Sequence, residues 1–94
     1  ASALLADPEA ARRFATAELA GLAAADVSTA RLRDTLEAYL AEGASHKRAA
    51  QRLTLHEKTV EQRVRRAEEL LGRPLAGRRG AVEAALVVHR LLGD

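Results

Sequence analysis

Residues Ala44–Leu71 read ASHKRAAQRLTLHEKTVEQRVRRAEELL, and two helical patterns lie back to back in them. The first is short. Ser45 offers a hydroxyl acceptor to cap it, and Ala49, Ala50 and Leu53 form an apolar stripe. The second places Val60, Val64, Ala67 and Leu71 at i, i+4, i+7 and i+11, one face of a helix. Only Leu53-Thr54-Leu55 separates the two patterns. Two helices joined by so tight a turn match the helix-turn-helix plan, whose second helix enters the DNA major groove.

The charge distribution agrees with that plan. Between Ser45 and Arg66 stand Lys47, Arg48, Arg52, Lys58, Arg63, Arg65 and Arg66 against Glu57 and Glu61, a net of +5. The whole chain of 94 residues carries only +2, so everything outside this stretch sums to −3. A positive surface confined to one segment is the electrostatic footprint expected of a phosphate-binding face.

On the N-terminal side, Ser28 or Thr29 is expected to cap a helix running to Ala41, with Leu32, Leu36, Tyr39 and Leu40 as its stripe. Glu42-Gly43 ends it, glycine taking the C-terminal capping position. On that stripe Tyr39 reads as core, not as a base-stacking ring. Ala23–Val27 reads as a linker. Before it, Asp7-Pro8-Glu9 has the composition of a helix opening, and Ala11, Phe14, Ala15, Leu19 and Leu22 supply an apolar face. Gly21 is expected to weaken or end that helix, and Arg12-Arg13 to form a solvated face. Residues 1–7 read as a frayed start. The division expected is 1–27 as helix and linker from an upstream domain, and 28–94 as the helix-turn-helix domain.

On the C-terminal side, Gly72 is a helix stop, and Pro74 forces Arg73 into an extended conformation. Leu75 is placed to plug the end of the second helix. A last helix is expected from Arg79 to Leu92, with Val82, Ala85, Leu86, His89 and Leu92 on one side and Val88 and Leu91 widening the apolar surface. His89 has no second ligand at helical spacing and reads as a packed helix residue. The fold class that follows is all-α. It is a small helical bundle containing a helix-turn-helix, winged-helix-like in topology but without a wing strand. Its helices are expected near 8–20, 29–41, 45–52, 56–71 and 79–92.

Composition narrows the function. The chain has no cysteine and three histidines, so a zinc site or disulfide is not available, and no cofactor is expected. No nucleophile–base pairing, Gly-rich phosphate loop or internal repeat occurs, which argues against an enzyme and against a small-molecule site. The longest uncharged apolar run, Ala84 to Val88, is far too short to span a bilayer. Absent cysteine suits a reducing compartment, and the expected location is cytoplasmic. With no methionine in it, the chain reads as one domain of a longer protein. Arginine-rich, alanine-rich usage suits a GC-rich bacterial genome.

At about 100° per residue, the face opposite Val60, Val64 and Leu71 carries Lys58, Gln62, Arg65, Arg66 and Glu69, flanked by Thr59 and Glu61. Lys58 is expected to read guanine and Gln62 adenine, while Thr59 suits a phosphate or a thymine methyl. Arg65 and Arg66 suit phosphates, and Ser45, Lys47 and Arg48 are expected to clamp the backbone. His56 falls at the N-cap, where its ring is expected to accept from a backbone N–H or donate to a phosphate. Glu57 and Glu61 oppose phosphate binding unless they are paired, Glu61 with Arg65 at i+4 or with a cytosine amino group.

The run Leu36–Gly72 resembles the C-terminal helix-turn-helix of PucR-type bacterial transcriptional regulators. Thr35-Leu36, Tyr39-Leu40, Ala49-Ala50, Leu53, His56, Thr59-Val60, Arg63, Leu70-Leu71-Gly72 and Leu75 stand in register with that family's pattern. The chain departs from it in the second helix. The family usually has Arg-Asn after the histidine and an aromatic before the arginine; here stand Glu57-Lys58 and Gln62. The resemblance implies double-stranded DNA as partner, with Arg63 among the contacting residues. It also implies sensory domains N-terminal to this one, and effector-controlled regulation of purine use, sugar-acid use or secondary metabolism. The competing expectation is a helical interaction module without DNA binding, with the Ala/Leu-rich last helix as its working surface. A weak homodimer through the terminal helices is expected in either case, because Phe14, Leu19 and Leu22 in the first and Val82 to Leu92 in the last exceed one stripe.

Overall fold

Asp7, Asp26 and Ser45 each start a helix by the same chemistry: a side-chain oxygen accepts the N–H three residues on. The distances are 3.1 Å to Ala10 N, 3.0 Å to Thr29 N and 3.1 Å to Arg48 N. The computed structural model describes residues 6–93. It contains α1 (Pro8–Leu19), a 3-10 turn (Ala20–Ala23), α2 (Val27–Ala41), α3 (His46–Leu53), α4 (Glu57–Leu71) and α5 (Arg79–Leu92). No strand occurs among the described residues. The all-α class and the five helices are as the sequence predicts. Residues 1–5, most of the expected frayed start, lie outside the described residues.

Three local expectations are corrected. The cap of α2 is Asp26, not Ser28 or Thr29. Its carboxylate also accepts the Thr29 hydroxyl at 2.7 Å, so the helix begins two residues early, with Val27 in its first turn. The linker is shorter than expected, because Ala20–Ala23 continues α1 as a 3-10 turn. Arg33 fixes that turn by donating to the carbonyls of Leu22 and Ala24 at 2.8 and 2.6 Å. Leu53 belongs to α3, so the turn of the helix pair is Thr54-Leu55-His56.

That turn closes without glycine. Thr54 sits in the left-handed region at φ 57° and ψ 50°, and the Leu55 N–H reaches back to the Ala50 carbonyl at 3.0 Å. This is a Schellman closure, in which the left-handed residue is usually glycine. Gly43 and Gly72 do fill that role at the ends of α2 and α4, at φ 67° and 76°.

α1 packs along α5, α2 packs against α4, and α3 crosses between α2 and α4. Their inward residues form one core. Leu19, Leu22, Leu36, Val60 and Val82 are fully buried, and Leu75 closes the end of α4 as expected. Leu75 is held there by its N–H donating to Glu68 Oε2 at 3.3 Å. Tyr39 is half-buried against the core, as its stripe predicts. The core is rich in alanine: Ala11, Ala15, Ala49, Ala67 and Ala85 let helix axes approach closely where leucine would hold them apart.

Polar ties supplement this thin core. Glu18 and Arg78 form a 2.6 Å ion pair with each side chain only 16% exposed, joining the end of α1 to the start of α5. Arg90 donates to both oxygens of Glu37, joining α5 to α2. Arg12 is half-buried, not simply solvated. It pairs with Glu9 and donates to the Leu92 carbonyl at 3.4 Å, where the negative end of the α5 dipole lies. Arg13 is exposed, as expected.

Candidate nucleic-acid interface

α4 is amphipathic in the way its spacing predicts. Val60, Val64, Ala67 and Leu71 are buried, while Lys58, Gln62, Arg65, Arg66 and Glu69 are exposed. Gly72 in the left-handed conformation ends the helix, and its N–H caps the carbonyls of Glu68 and Glu69. At the other end His56 has the extended backbone of an N-cap, but its ring makes no capping bond. The expected acceptor role is therefore not seen, and the exposed imidazole stands at a helix start whose N–H groups favour an anion.

The two sides of α4 differ in charge. At about 100° per residue, Glu57, Glu61 and Glu68 fall on one flank and Thr59, Arg63 and Arg66 on the other. Glu61 and Glu68 are half-buried and line a crevice with Tyr39, His46, Val64 and Arg65. There the His46 ring lies 4.9 Å from that of Tyr39. The expected Glu61–Arg65 ion pair is absent; the pair that forms on this helix is Arg66–Glu69 at 2.9 Å. With Glu61 turned toward α2 and α3, the strip Lys58, Thr59, Gln62 and Arg63 in the N-terminal half of α4 contains no carboxylate, while Arg66 farther along is paired with Glu69.

α3 contributes cations in two states. The Ser45 hydroxyl is committed to its cap on Arg48 N. Lys47 is exposed and forms no ion pair among the described residues. Arg48 and Arg52 turn back toward Glu42 at the end of α2. Arg52 Nη1 lies 3.4 Å from Glu42 Oε2, and Arg48 Nε lies 4.0 Å from Glu42 Oε1. This acid was not singled out in the sequence, where it reads only as the last residue before a glycine stop. Among the described residues Lys58, Arg63 and Arg65 have no carboxylate within ion-pair distance. The arrangement offers a rigid helix pair carrying exposed donors, fit to lie against an anionic partner.

No helix among the described residues is long and apolar enough to cross a membrane, and no group of metal-ligating side chains occurs among them. Comparison with curated proteins and with solved structures gave no match. The family model of the PucR C-terminal helix-turn-helix domain matches residues 32–89. That span holds the whole of α3 and α4, most of α2 and most of α5, well over half of the chain. Together with the buried Val60–Leu71 stripe and the capped, three-residue turn, it places the chain in the PucR C-terminal helix-turn-helix domain family.

Proposed function

We propose that this domain binds double-stranded DNA as the reading head of a bacterial transcriptional regulator, with the N-terminal half of α4 in the major groove. The observation that carries this reading is the carboxylate-free strip Lys58, Thr59, Gln62 and Arg63 in the N-terminal half of α4, beside the cationic start of α3. In it Lys58 and Gln62 stand one turn apart, exposed and without a side-chain hydrogen bond or ion pair among the described residues. Lys58 reads guanine and Gln62 adenine. Thr59, Arg63, Arg65 and Arg66 approach phosphates along the groove, and His56 donates to a phosphate at the α4 start. Lys47 and Arg48 hold the neighbouring backbone, with Ser45 setting the start of α3. Residues 1–27 connect the domain to an upstream sensory unit, the protein works in the cytoplasm, and two copies act together on DNA.

Fluorescence anisotropy on a labelled duplex across a salt series tests the reading. Affinity is expected to fall steeply, with a log-log slope of about −0.9 per phosphate neutralised. Lys58→Ala and Gln62→Ala are expected to cost about 1–3 kcal/mol at a selected site and little elsewhere. Arg65→Ala is expected to weaken all duplexes alike and flatten the slope by about one unit. Absence of binding at low salt leaves the rival, a helical interaction module.

A further inference from the structure

The family match and the strip on α4 leave Glu42 and Arg52 without a role. Glu42 is the C-cap residue of α2, and its backbone is fixed by the closure that follows. Gly43 N–H donates to Leu40 O at 3.1 Å, and Ala44 N–H to Tyr39 O at 2.8 Å. The backbone from which the Glu42 side chain springs is therefore fixed, and its carboxylate stands between two guanidinium groups from successive turns of α3. Arg52 Nη1 lies 3.4 Å from one oxygen and Arg48 Nε 4.0 Å from the other. Arg48 also donates through Nη2 to the Glu42 carbonyl at 3.3 Å. The same Nη2 lies 3.4 Å from where a Cβ on Gly43 would be, so this guanidinium is folded over the α2–α3 turn. Two arginines one helical turn apart, converging on a single oxyanion, make the geometry that recognises a phosphate.

We infer that Arg48 and Arg52 form a phosphate site for the DNA backbone, occupied in the free protein by the carboxylate of Glu42. The inference rests on the DNA-binding reading above and adds two residues to it. Both arginines remain more than half exposed while Glu42 is 30% exposed, so an incoming phosphate can take the outer side of the fork without unfolding anything. Phosphate must then displace or share the guanidinium groups with an anion already there. Glu42 thus lowers affinity for every duplex alike and does not alter which sequence is preferred.

Glu42→Gln tests this. The side chain keeps its shape and the capping groups at this turn are backbone, so the fold is expected to persist, checked by circular dichroism and the unfolding midpoint. Binding to a labelled duplex of arbitrary sequence at low salt should tighten about two- to fivefold, the range that loss of an exposed ion pair spans. The salt slope should steepen, and the ratio between a selected and an arbitrary duplex should stay constant. Arg52→Ala should weaken binding more in the Glu42→Gln background than in the native one, because only there is the guanidinium wholly available. Unchanged or weaker binding by Glu42→Gln, with native binding intact, overturns the inference alone. Failure of the native protein to bind any duplex at low salt overturns the DNA-binding reading, and this inference with it.

Discussion

Thr54, like Ala20 and Ala44, carries a local conflict between sequence and conformation. A β-branched residue at φ 57° is an outlier, since left-handed backbone costs an L-residue about 1–2 kcal/mol. Glycine removes that cost but adds about 0.5–1 kcal/mol of chain entropy. Thr54→Gly is therefore expected to stabilise the domain by about 0.5–1 kcal/mol, raising the melting midpoint by about 2–8 °C; a lower midpoint would refute the argument. The fold lowers the pKa of Asp26. The Thr29 hydroxyl, then the Thr29 N–H, and lastly the charge of Arg33 hold its carboxyl below the ordinary 3.8. Because the folded form is the more acidic, this cap contributes fully above that value and is lost as pH falls through the folded pKa. Unfolding free energy should decline below about pH 4, and Asp26→Asn, an equally good cap that does not titrate, should flatten that part of the profile. An acid limb identical in the two proteins would assign the decline to other carboxylates.

At the scale of elements, the 3-10 turn after α1 touches the helix that the proposal places in the groove. A Cβ on Gly21 would stand 3.0 Å from the Leu70 carbonyl oxygen and 3.5 Å from its Cδ2. The nearest obstacle is backbone near the end of α4, which cannot swing aside as a side chain can. Gly21→Val should therefore push the turn from α4 and cost about 1–3 kcal/mol, the usual penalty of overpacking; stability equal to the parent in chemical denaturation would show that the turn gives way freely. The sequence predicts Gly21 to weaken or end the first helix, which stops two residues earlier, at Leu19, with the positive φ at Ala20 (51°) and not at the glycine. It could not predict the contact with Leu70, because that contact joins residues far apart in the chain. The same division holds elsewhere. Asp7, Ser45, Gly43 and Gly72 act within four residues of themselves, and each was legible. Glu18–Arg78 and Glu37–Arg90 depend on how helices dock, and no local pattern marks them. The cap of α2 is masked for a local reason: Ser28 and Thr29, both good capping residues, follow Asp26 within three positions.

For the whole molecule, the terminal helices look different folded than as a sequence. Of Phe14, Leu19 and Leu22 in the first helix and Val82, Ala85, Leu86, Val87, Val88, Leu91 and Leu92 in the last, the apolar positions expected to exceed one stripe, six (Leu19, Leu22, Val82, Ala85, Leu86 and Val88) are buried because α1 and α5 cover one another. Among the described residues the large hydrophobics that remain well exposed are Leu91 at 60% and Val27 at 69%. A stable dimer interface buries on the order of 1,200 Å² or more, with an apolar centre. Leu91 with its half-buried neighbours Val87 and Leu92 is a small start toward that. The homodimer proposed for this domain must therefore draw most of its stability from DNA. Two copies gain affinity when a duplex carries two half-sites about 34 Å apart, on one side of the helix. Sedimentation without DNA should show monomer at micromolar concentration, with self-association beginning only at tens of micromolar and abolished by Leu91→Glu. On a duplex with an inverted repeat of the selected half-site, the complex should hold two chains. Inserting about five base pairs, half a turn, between the half-sites should return binding to that of independent monomers. If the inserted spacing binds as tightly as the original, the copies do not cooperate, and pairing must come from parts of the regulator outside this domain.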